Sequence, residues 1–454
     1  MPGNMSSGNV PIFGFIGLLS LLATVALSDS RGAPAPSAPI PPPQIVGLMP
    51  VVVPPFDPSL SAEQARPYFD TFSWQSFVAL NWPAQPGQRG VPNEPGTPSR
   101  FLSASNGTPV VWGTYKTSDD LFATGAARPT PWDDSRTGLP GIKQLSRLSK
   151  GVKNSVLSDT LEAFSFPLID QNNAYIRYEV NYNKAFYDFV RGADTNSQSW
   201  LYLLKNLVQF PNGVQMPAST PPQNVGALMV KASWREMTPN DLAGGRYYVV
   251  QAQVEDAISQ ARVSKPVGLV GLHISQKLQG FPQWIWSTFE QVDNVQRGPG
   301  STQATPISFN NGTPNPPTPR GYANRPASKT AVTNPAPVQV TRLNPIPTTP
   351  VGASTVVMNA AFQKALAGTV WQYYELAITQ WPSNPGAFRT MENGGNYPAD
   401  CGGAFPTDGA CNTTMETYFQ AAADASGAGG NSCMSCHYRA GGTDFSWGLM
   451  NRAH

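Results

Sequence analysis

Charged residues are scarce in this sequence. Lys, Arg, Asp and Glu together make up 13% of its 454 residues, against roughly 25% in an average soluble domain. The formal net charge is only +2, and no run of lysines or arginines occurs. Because proteins that bind nucleic acids carry a concentrated positive patch or stripe, the sequence predicts no nucleic-acid partner.

Cysteine and histidine are scarce as well, with four and three residues respectively. All four cysteines and two of the histidines lie in the last part of the chain, residues 385–454. The sequence contains no G-x-S-x-G, no phosphate-binding loop, no H-E-x-x-H and no dinucleotide-binding glycine pattern. It therefore gives no support to the hydrolase, nucleotide-binding and zinc-protease classes that these motifs identify.

Proline, glycine and aromatic residues are abundant instead. The 46 prolines and 41 glycines predict long loops and turns, while 40% hydrophobic residues allow a sizeable core. Apolar periodicity predicts helices over residues 61–82, Phe186–Val190, Ser197–Gln209 and Val356–Tyr374. It predicts strands over Val110–Tyr115, Ala174–Val180, Leu228–Trp234, Arg246–Gln253, Val267–Ser275, Gln283–Phe289 and Leu376–Trp381. The expected fold class is α+β, a mainly antiparallel β domain with several helices and a short C-terminal segment docked on it.

The composition changes along the chain and predicts four regions. Residues 1–28 are expected to be a signal peptide or an N-terminal membrane anchor, because Val10 to Leu27 is an apolar stretch followed by small residues. Residues 29–58 form a Pro-rich linker, residues 59–384 the large α+β domain, and residues 385–454 the cysteine-containing segment. We therefore expect an exported protein, located in the periplasm or at the outer face of the cytoplasmic membrane.

The pattern C-x-x-C-H occurs once, at Cys433, Cys436 and His437. Two thiols at this spacing can each bind one vinyl group of the same porphyrin, and the next residue can bind the iron. Two alternatives remain open at this point. The cysteine pair could be a redox or structural disulfide, or it could be half of a zinc site completed by Cys401 and Cys411.

The other two cysteines, Cys401 and Cys411, are separated by a Gly-rich loop. Since disulfides persist in oxidising compartments, we expect these two residues to form one. The disulfide would brace the loop before a helix that is predicted to begin near Thr413. In that helix Thr413 and Glu416 have the spacing of a capping box.

The C-x-x-C-H pattern resembles the haem-binding motif of c-type cytochromes. Over its length the chain also resembles a bacterial group of cytochrome-c-like proteins, in the blocks Ser73–Pro83, Pro282–Glu290 and Asn412–Tyr418. The resemblance implies one covalent haem c, with thioether links to Cys433 and Cys436 and with His437 as the proximal iron ligand. Only 17 residues follow His437, so the haem must dock against the large domain rather than inside a small cytochrome fold.

The sixth iron ligand decides the function, because a second strong ligand favours electron transfer and an open position favours oxygen or peroxide chemistry. The candidates are Met415, Met450 and His273. Each also has an ordinary interpretation, since a methionine commonly fills a core and a lone histidine is commonly a satisfied core residue. His454 is the chain's last residue and a weaker candidate.

The expected function is one-electron transfer, which requires a redox partner protein. The alternatives are a haem-dependent oxidoreductase (a peroxidase, an oxidase or a dehydrogenase subunit) and a haem-based sensor whose large domain binds a ligand. An aromatic block with Trp284 and Trp286 could border the haem, or it could be an ordinary core strand. Glu290 and Asp293 could handle protons beside it, although such carboxylate pairs are also common on surfaces.

Overall fold

The structure is a computed structural model. It describes residues 42–122, 129–134, 143–145, 166–191, 217–255, 261–295, 307–314, 316–319, 322–327, 336–387, 403–406, 409–420 and 432–452. All of these residues belong to one compact unit. The large domain and the C-terminal segment are therefore packed together.

An eight-stranded sheet forms the centre of the unit. Its strands are β1 (Lys116–Thr117), β2 (Lys143–Leu145), β3 (Arg177–Tyr182), β4 (Leu228–Glu236), β5 (Val249–Glu255), β6 (Arg262–Leu278), β7 (Phe281–Gln291) and β8 (Tyr374–Gln380). On one side of β6 the order is β4, β3, β1. On its other side the first half of β6 pairs with β5 and the second half with β7, which are followed by β2 and β8. All pairings are antiparallel except that of β2 with β5, so the expected α+β class is confirmed.

Eight α-helices lie in the described residues. They are α1 (Ala62–Leu80), α2 (Pro98–Leu102), α3 (Ser118–Leu121), α4 (Lys184–Arg191), α5 (Pro239–Gly244), α6 (Thr355–Ala365), α7 (Cys433–His437) and α8 (Trp447–Arg452). The longest, α1, begins at a capping box formed by Ser61 and Gln64, which satisfies backbone groups that a helix start leaves unpaired. None of these helices combines the length and the apolar character needed to cross a bilayer.

Helices α1 and α6 cover one face of the sheet. Trp74 of α1 stacks on Phe362 of α6 with ring centroids 4.9 Å apart, and its edge contacts Phe289 of β7. Leu272 pairs with Phe289 and Ala232 across neighbouring strands, and all three side chains belong to this cluster. This apolar layer is the main core of the molecule.

The C-terminal segment covers the opposite face. Because side chains alternate along a strand, the neighbours of the core residues face the other way. Ser233 of β4 and Thr288 of β7 do so, and they hydrogen-bond to Thr414 and Asn412 at 2.7 and 2.9 Å. The sheet is thus buried on both faces, by helices on one and by the cysteine-containing segment on the other.

Two predicted elements of the large domain are wrong in detail. Val110–Tyr115 is not a strand, because Trp112–Thr114 forms a 3₁₀ turn in which the buried Trp112 indole donates to Asn81. The predicted helix Val356–Tyr374 ends at Ala365, since Gly368 has φ +87° and interrupts it. A helix there cannot continue through a left-handed residue.

The predicted Pro-rich linker also differs from expectation. Its described part, residues 42–58, packs on the folded unit, and Val51 and Val53 are buried. A Cβ at Gly47 would lie 2.5 Å from the Trp82 ring, and Pro50 O accepts a hydrogen bond from Gln276. The folded part therefore begins before Ser59, because apolar residues between the prolines contribute to the core. The predicted signal segment, residues 1–28, and the predicted helix Ser197–Gln209 lie outside the described residues.

Candidate haem-attachment site

The C-x-x-C-H motif forms a short helix, α7. Ser432 and Ser435 build a capping box at its start, so the second variable residue of the motif stabilises the helix that carries it. The main-chain N–H of the buried Met434 donates to Gln380 Oε1 at 2.8 Å and ties the helix to β8. Cys433 and Cys436 are three residues apart and therefore share one face of the helix. Both are present as thiols.

The His437 side chain is half-buried and oriented by a backbone carbonyl. Its Nδ1 lies 2.7 Å from Phe445 O, and since a carbonyl only accepts, Nδ1 carries the proton. Burial lowers the pKa of His437 to about 4, so the ring is neutral at physiological pH. Its Nε2 therefore has a lone pair, which is the form that binds iron. Trp286 packs beside the ring with centroids 4.4 Å apart.

The two thiols of the motif are poorly ionised. Burial raises the pKa of Cys433 well above its ordinary value and also raises that of Cys436, and the nearby Glu416 carboxylate acts in the same direction. Cysteines that exchange disulfides have lowered pKa values instead, so this environment does not favour a redox disulfide. No group of three or more His, Cys, Asp or Glu side chains arranged to hold a metal occurs within the described ranges. Cys401, which the zinc alternative requires, lies outside them.

The chain after His437 returns to the sheet through a turn at Asp444 and Phe445. Both carboxylate oxygens of Asp444 lie 2.6 Å from Lys277 Nζ at the end of β6. The indole of Trp284 in β7 also donates to Asp444, at 3.2 Å. Sequence reasoning missed both Lys277 and Asp444.

Residues 409–420 form successive turns and not the predicted helix near Thr413. The Glu416 carboxylate does accept the main-chain N–H of Asn412 at 2.7 Å. However, Thr413 and Asn412 direct their side chains to β7, where they hydrogen-bond to Glu290 and Thr288. The side chains of this segment thus attach it to the sheet.

The structure separates two of the predicted sixth-ligand candidates. Met415 is fully buried in an apolar cluster with Leu168, Val270 and Tyr418, which contains no residue of the motif. His273 lies on the sheet face that the C-terminal segment covers, opposite Thr288. The side chain of Met450 and all of His454 fall outside what the structure describes.

His273 lies in a polar group beside the motif. Its buried Nε2 is 3.4 Å from Glu416 Oε2 and has no hydrogen-bond partner among the described residues. Lys231 is its cross-strand neighbour in β4. Lys231 and His273 are among the groups that lower the pKa of His437. Sequence reasoning named His273 but missed Lys231.

The remaining predicted residues have other roles. Glu290 binds Arg342 at 2.8 Å, and Asp293 binds Arg246 at 2.6 Å. These two carboxylates belong to separate ion pairs and do not form a proton-handling pair.

Two of the predicted features concern the other cysteines and the aromatic block. Cys411 is buried, but Cys401 lies outside the described residues, so their disulfide stays a prediction. Trp284 and Trp286 do border the motif, since both belong to the apolar cluster that contains Met434. Both tryptophans are thus buried residues of a core strand, and their place beside a haem stays a prediction.

No protein-family model, no curated protein and no solved structure matches this chain. The resemblance to bacterial cytochrome-c-like proteins therefore stays a prediction.

Proposed function

We propose that this protein is an exported mono-haem c-type cytochrome that transfers single electrons. The observation that carries the proposal is the contact between His437 Nδ1 and Phe445 O. It leaves a neutral nitrogen for iron directly beside two thiols with the spacing of haem attachment. Among c-type sites, a ligating histidine whose other nitrogen donates to a carbonyl is oriented and made more basic.

The residues present fit one haem c. Cys433 and Cys436 would hold it through thioether links, and His437 would be the proximal ligand. When bound, haem supplies an iron that cycles between two oxidation states at a potential set by its ligands and burial. Trp286 and the apolar residues around Met434 would exclude water from the proximal side.

His273 is the sixth ligand that we propose. Its buried Nε2 faces Glu416 Oε2 at 3.4 Å without a well-formed hydrogen bond, and a buried polar atom is stabilised when it gains a partner. His273 of β6 pairs with Thr288 of β7. Trp286 lies two residues before Thr288 and therefore faces the same side of the sheet, and its ring contacts His437. Met415, by contrast, is used in a separate apolar cluster.

One observation favours a second candidate function. Glu416 and Lys231 place charged groups next to His273 near the motif. Charged groups beside an open iron position suit a haem-dependent oxidoreductase or a haem-based sensor. In that case His273 would not bind the iron but would act with Glu416 on a small ligand.

The location and partners that we propose follow from the same cofactor. Haem c is attached outside the cytoplasm in proteins with this motif, which agrees with the apolar segment near the N-terminus. A single-electron carrier needs a redox partner protein. The low charge of the chain gives no indication of a nucleic-acid partner.

Optical spectra distinguish the two functions. The protein would be matured in a host that assembles haem c, and spectra would be taken oxidised, reduced, and reduced with carbon monoxide. We expect a low-spin haem that does not bind carbon monoxide. A high-spin haem that binds it would support the oxidoreductase or sensor instead.

The same spectra test His273. The variant His273→Ala should keep its covalent haem but become high-spin and bind carbon monoxide, since the sixth position is then open. Met415→Leu is the matched control and should stay low-spin, because Met415 packs elsewhere. A low-spin His273→Ala variant that ignores carbon monoxide would show that another residue, first of all Met450, is the ligand.

A further inference from the structure

The turn that holds His437 is conformationally costly. Asp444 has φ +50° and Phe445 has φ +64°, a left-handed conformation that non-glycine residues adopt at a cost of roughly 1–2 kcal/mol each. The turn nevertheless forms, and Phe445 N donates to Ala440 O at 2.9 Å. It directs the Phe445 carbonyl to His437 Nδ1. Other contacts must hold it in place.

Those contacts come from the sheet. The side chains of Lys277 and Asp444 are 4% and 0% exposed, so their ion pair is shielded from water. Lys277 is fixed at the end of β6, where its main chain hydrogen-bonds to Ala227 and Ser219. Trp284 adds a hydrogen bond from β7. Asp444 is thereby attached to two strands of the rigid sheet.

We infer that the Lys277–Asp444 ion pair positions the proximal histidine. The connection runs from β6 through Lys277 and Asp444 to the Phe445 carbonyl and then to His437 Nδ1. Held this way, the carbonyl orients the imidazole and raises the basicity of Nε2. The inference rests on the proposed function, because its consequence is a tuned haem iron. Lys277 and Asp444 are positioning residues, since neither contacts the iron site itself.

A second buried ion pair in the molecule provides a control. Glu290 and Arg342 attach the preceding segment to β7 through Thr413. They fasten the C-terminal segment as the first pair does, but they do not contact the 444–445 turn. Loss of either ion pair should lower the stability of the fold. Only loss of Lys277–Asp444 should change the reduction potential of the iron.

The test is the charge-neutral double variant K277Q/D444N, measured as haem-loaded protein. Its net charge is unchanged, and Asn tolerates positive φ, so the removed feature is the ion pair. We expect the reduction potential to rise, because a weaker hydrogen bond makes the imidazole less basic and favours reduced iron. The Nδ1 proton of His437 should also exchange faster with water, as measured by NMR of ¹⁵N-histidine-labelled protein. E290Q/R342Q should lower stability and leave both readouts unchanged.

Two milder variants support the test if K277Q/D444N does not fold. Trp284→Phe removes one hydrogen-bond donor to Asp444. It should shift the reduction potential and the Nδ1 exchange rate in the same direction as K277Q/D444N, but by a smaller amount. Lys277→Arg keeps the charge and should preserve the wild-type values. The inference would be overturned if K277Q/D444N or Trp284→Phe left both the reduction potential and the Nδ1 exchange rate unchanged. It would also be overturned if E290Q/R342Q shifted both quantities by as much as K277Q/D444N does.

Failure of the proposed function would give a different result. If the wild-type chain carries no covalent haem, the proposed function is wrong. The Nδ1 exchange rate of the haem-free protein still tests the turn, because the hydrogen bond to Phe445 exists without haem.

Discussion

The two nitrogens of the His437 ring have different surroundings. Nδ1 donates to Phe445 O, eight residues further along the chain, and Nε2 is left to bind. The position of His437 after two cysteines predicted its role as a ligand. Its orienting partner could not be predicted, since no local sequence rule pairs a histidine with a particular distant carbonyl. A motif can thus predict a ligand, while the fold decides which groups surround each of its nitrogens.

A buried carboxyl in helix α1 should make stability depend on pH. Asp70 is fully buried, accepts hydrogen bonds from Thr355 and Thr379, and has a pKa raised by burial from 3.8 to about 6. The folded state binds this proton more tightly than the unfolded state. The resulting stabilisation is complete below about pH 4 and is lost as the pH rises through about 6.

Asp70→Asn removes this titration. Between pH 4 and pH 7 the free energy of unfolding of the wild type should fall by roughly 3 kcal/mol relative to that of Asp70→Asn, because the pKa of Asp70 lies about two pH units above its ordinary value. Urea unfolding of both proteins at several pH values measures it. A difference that stays constant over this range would contradict the raised pKa.

At the level of elements, the face of the sheet beneath the C-terminal segment is adapted to close approach. Gly271 of β6 leaves space for the side chains of Thr414 and Ser233, which a Cβ at this position would overlap. Thr414 also accepts a hydrogen bond from Tyr178 through its main-chain carbonyl. Hydrogen bonds of polar side chains therefore hold the C-terminal segment on this face of the sheet, whereas aromatic side chains pack on the opposite face.

Gly271→Ala should loosen this contact. The added methyl group must displace Thr414 or Ser233, which typically costs about 1–3 kcal/mol in a packed site. Gly244→Ala is the control, since nothing lies within 4 Å of its added Cβ. Urea unfolding compares the two, and amide exchange at residues 412–416 reports local loosening. Equal stability of both variants would contradict the close approach at Gly271.

For the molecule as a whole, local patterns predicted the strands and long-range contacts decided the site. Apolar periodicity predicted runs that overlap β3 to β8, and the expected α+β class is confirmed. Lys277 and Asp444 are 167 residues apart, so only the folded chain shows that they meet. Met415 was a reasonable ligand from its distance in sequence, but burial in the core uses its side chain.

The mass of the peptide that contains Cys433–His437 tests the central claim most directly. It would be released by protease from protein matured in cells that assemble haem c, and extracted with acid acetone. The account predicts that this peptide carries one covalent haem in wild type and in Cys411→Ser, and none in a Cys433→Ser/Cys436→Ser variant. A wild-type peptide of unmodified mass, from cells in which a control cytochrome matures normally, would contradict it.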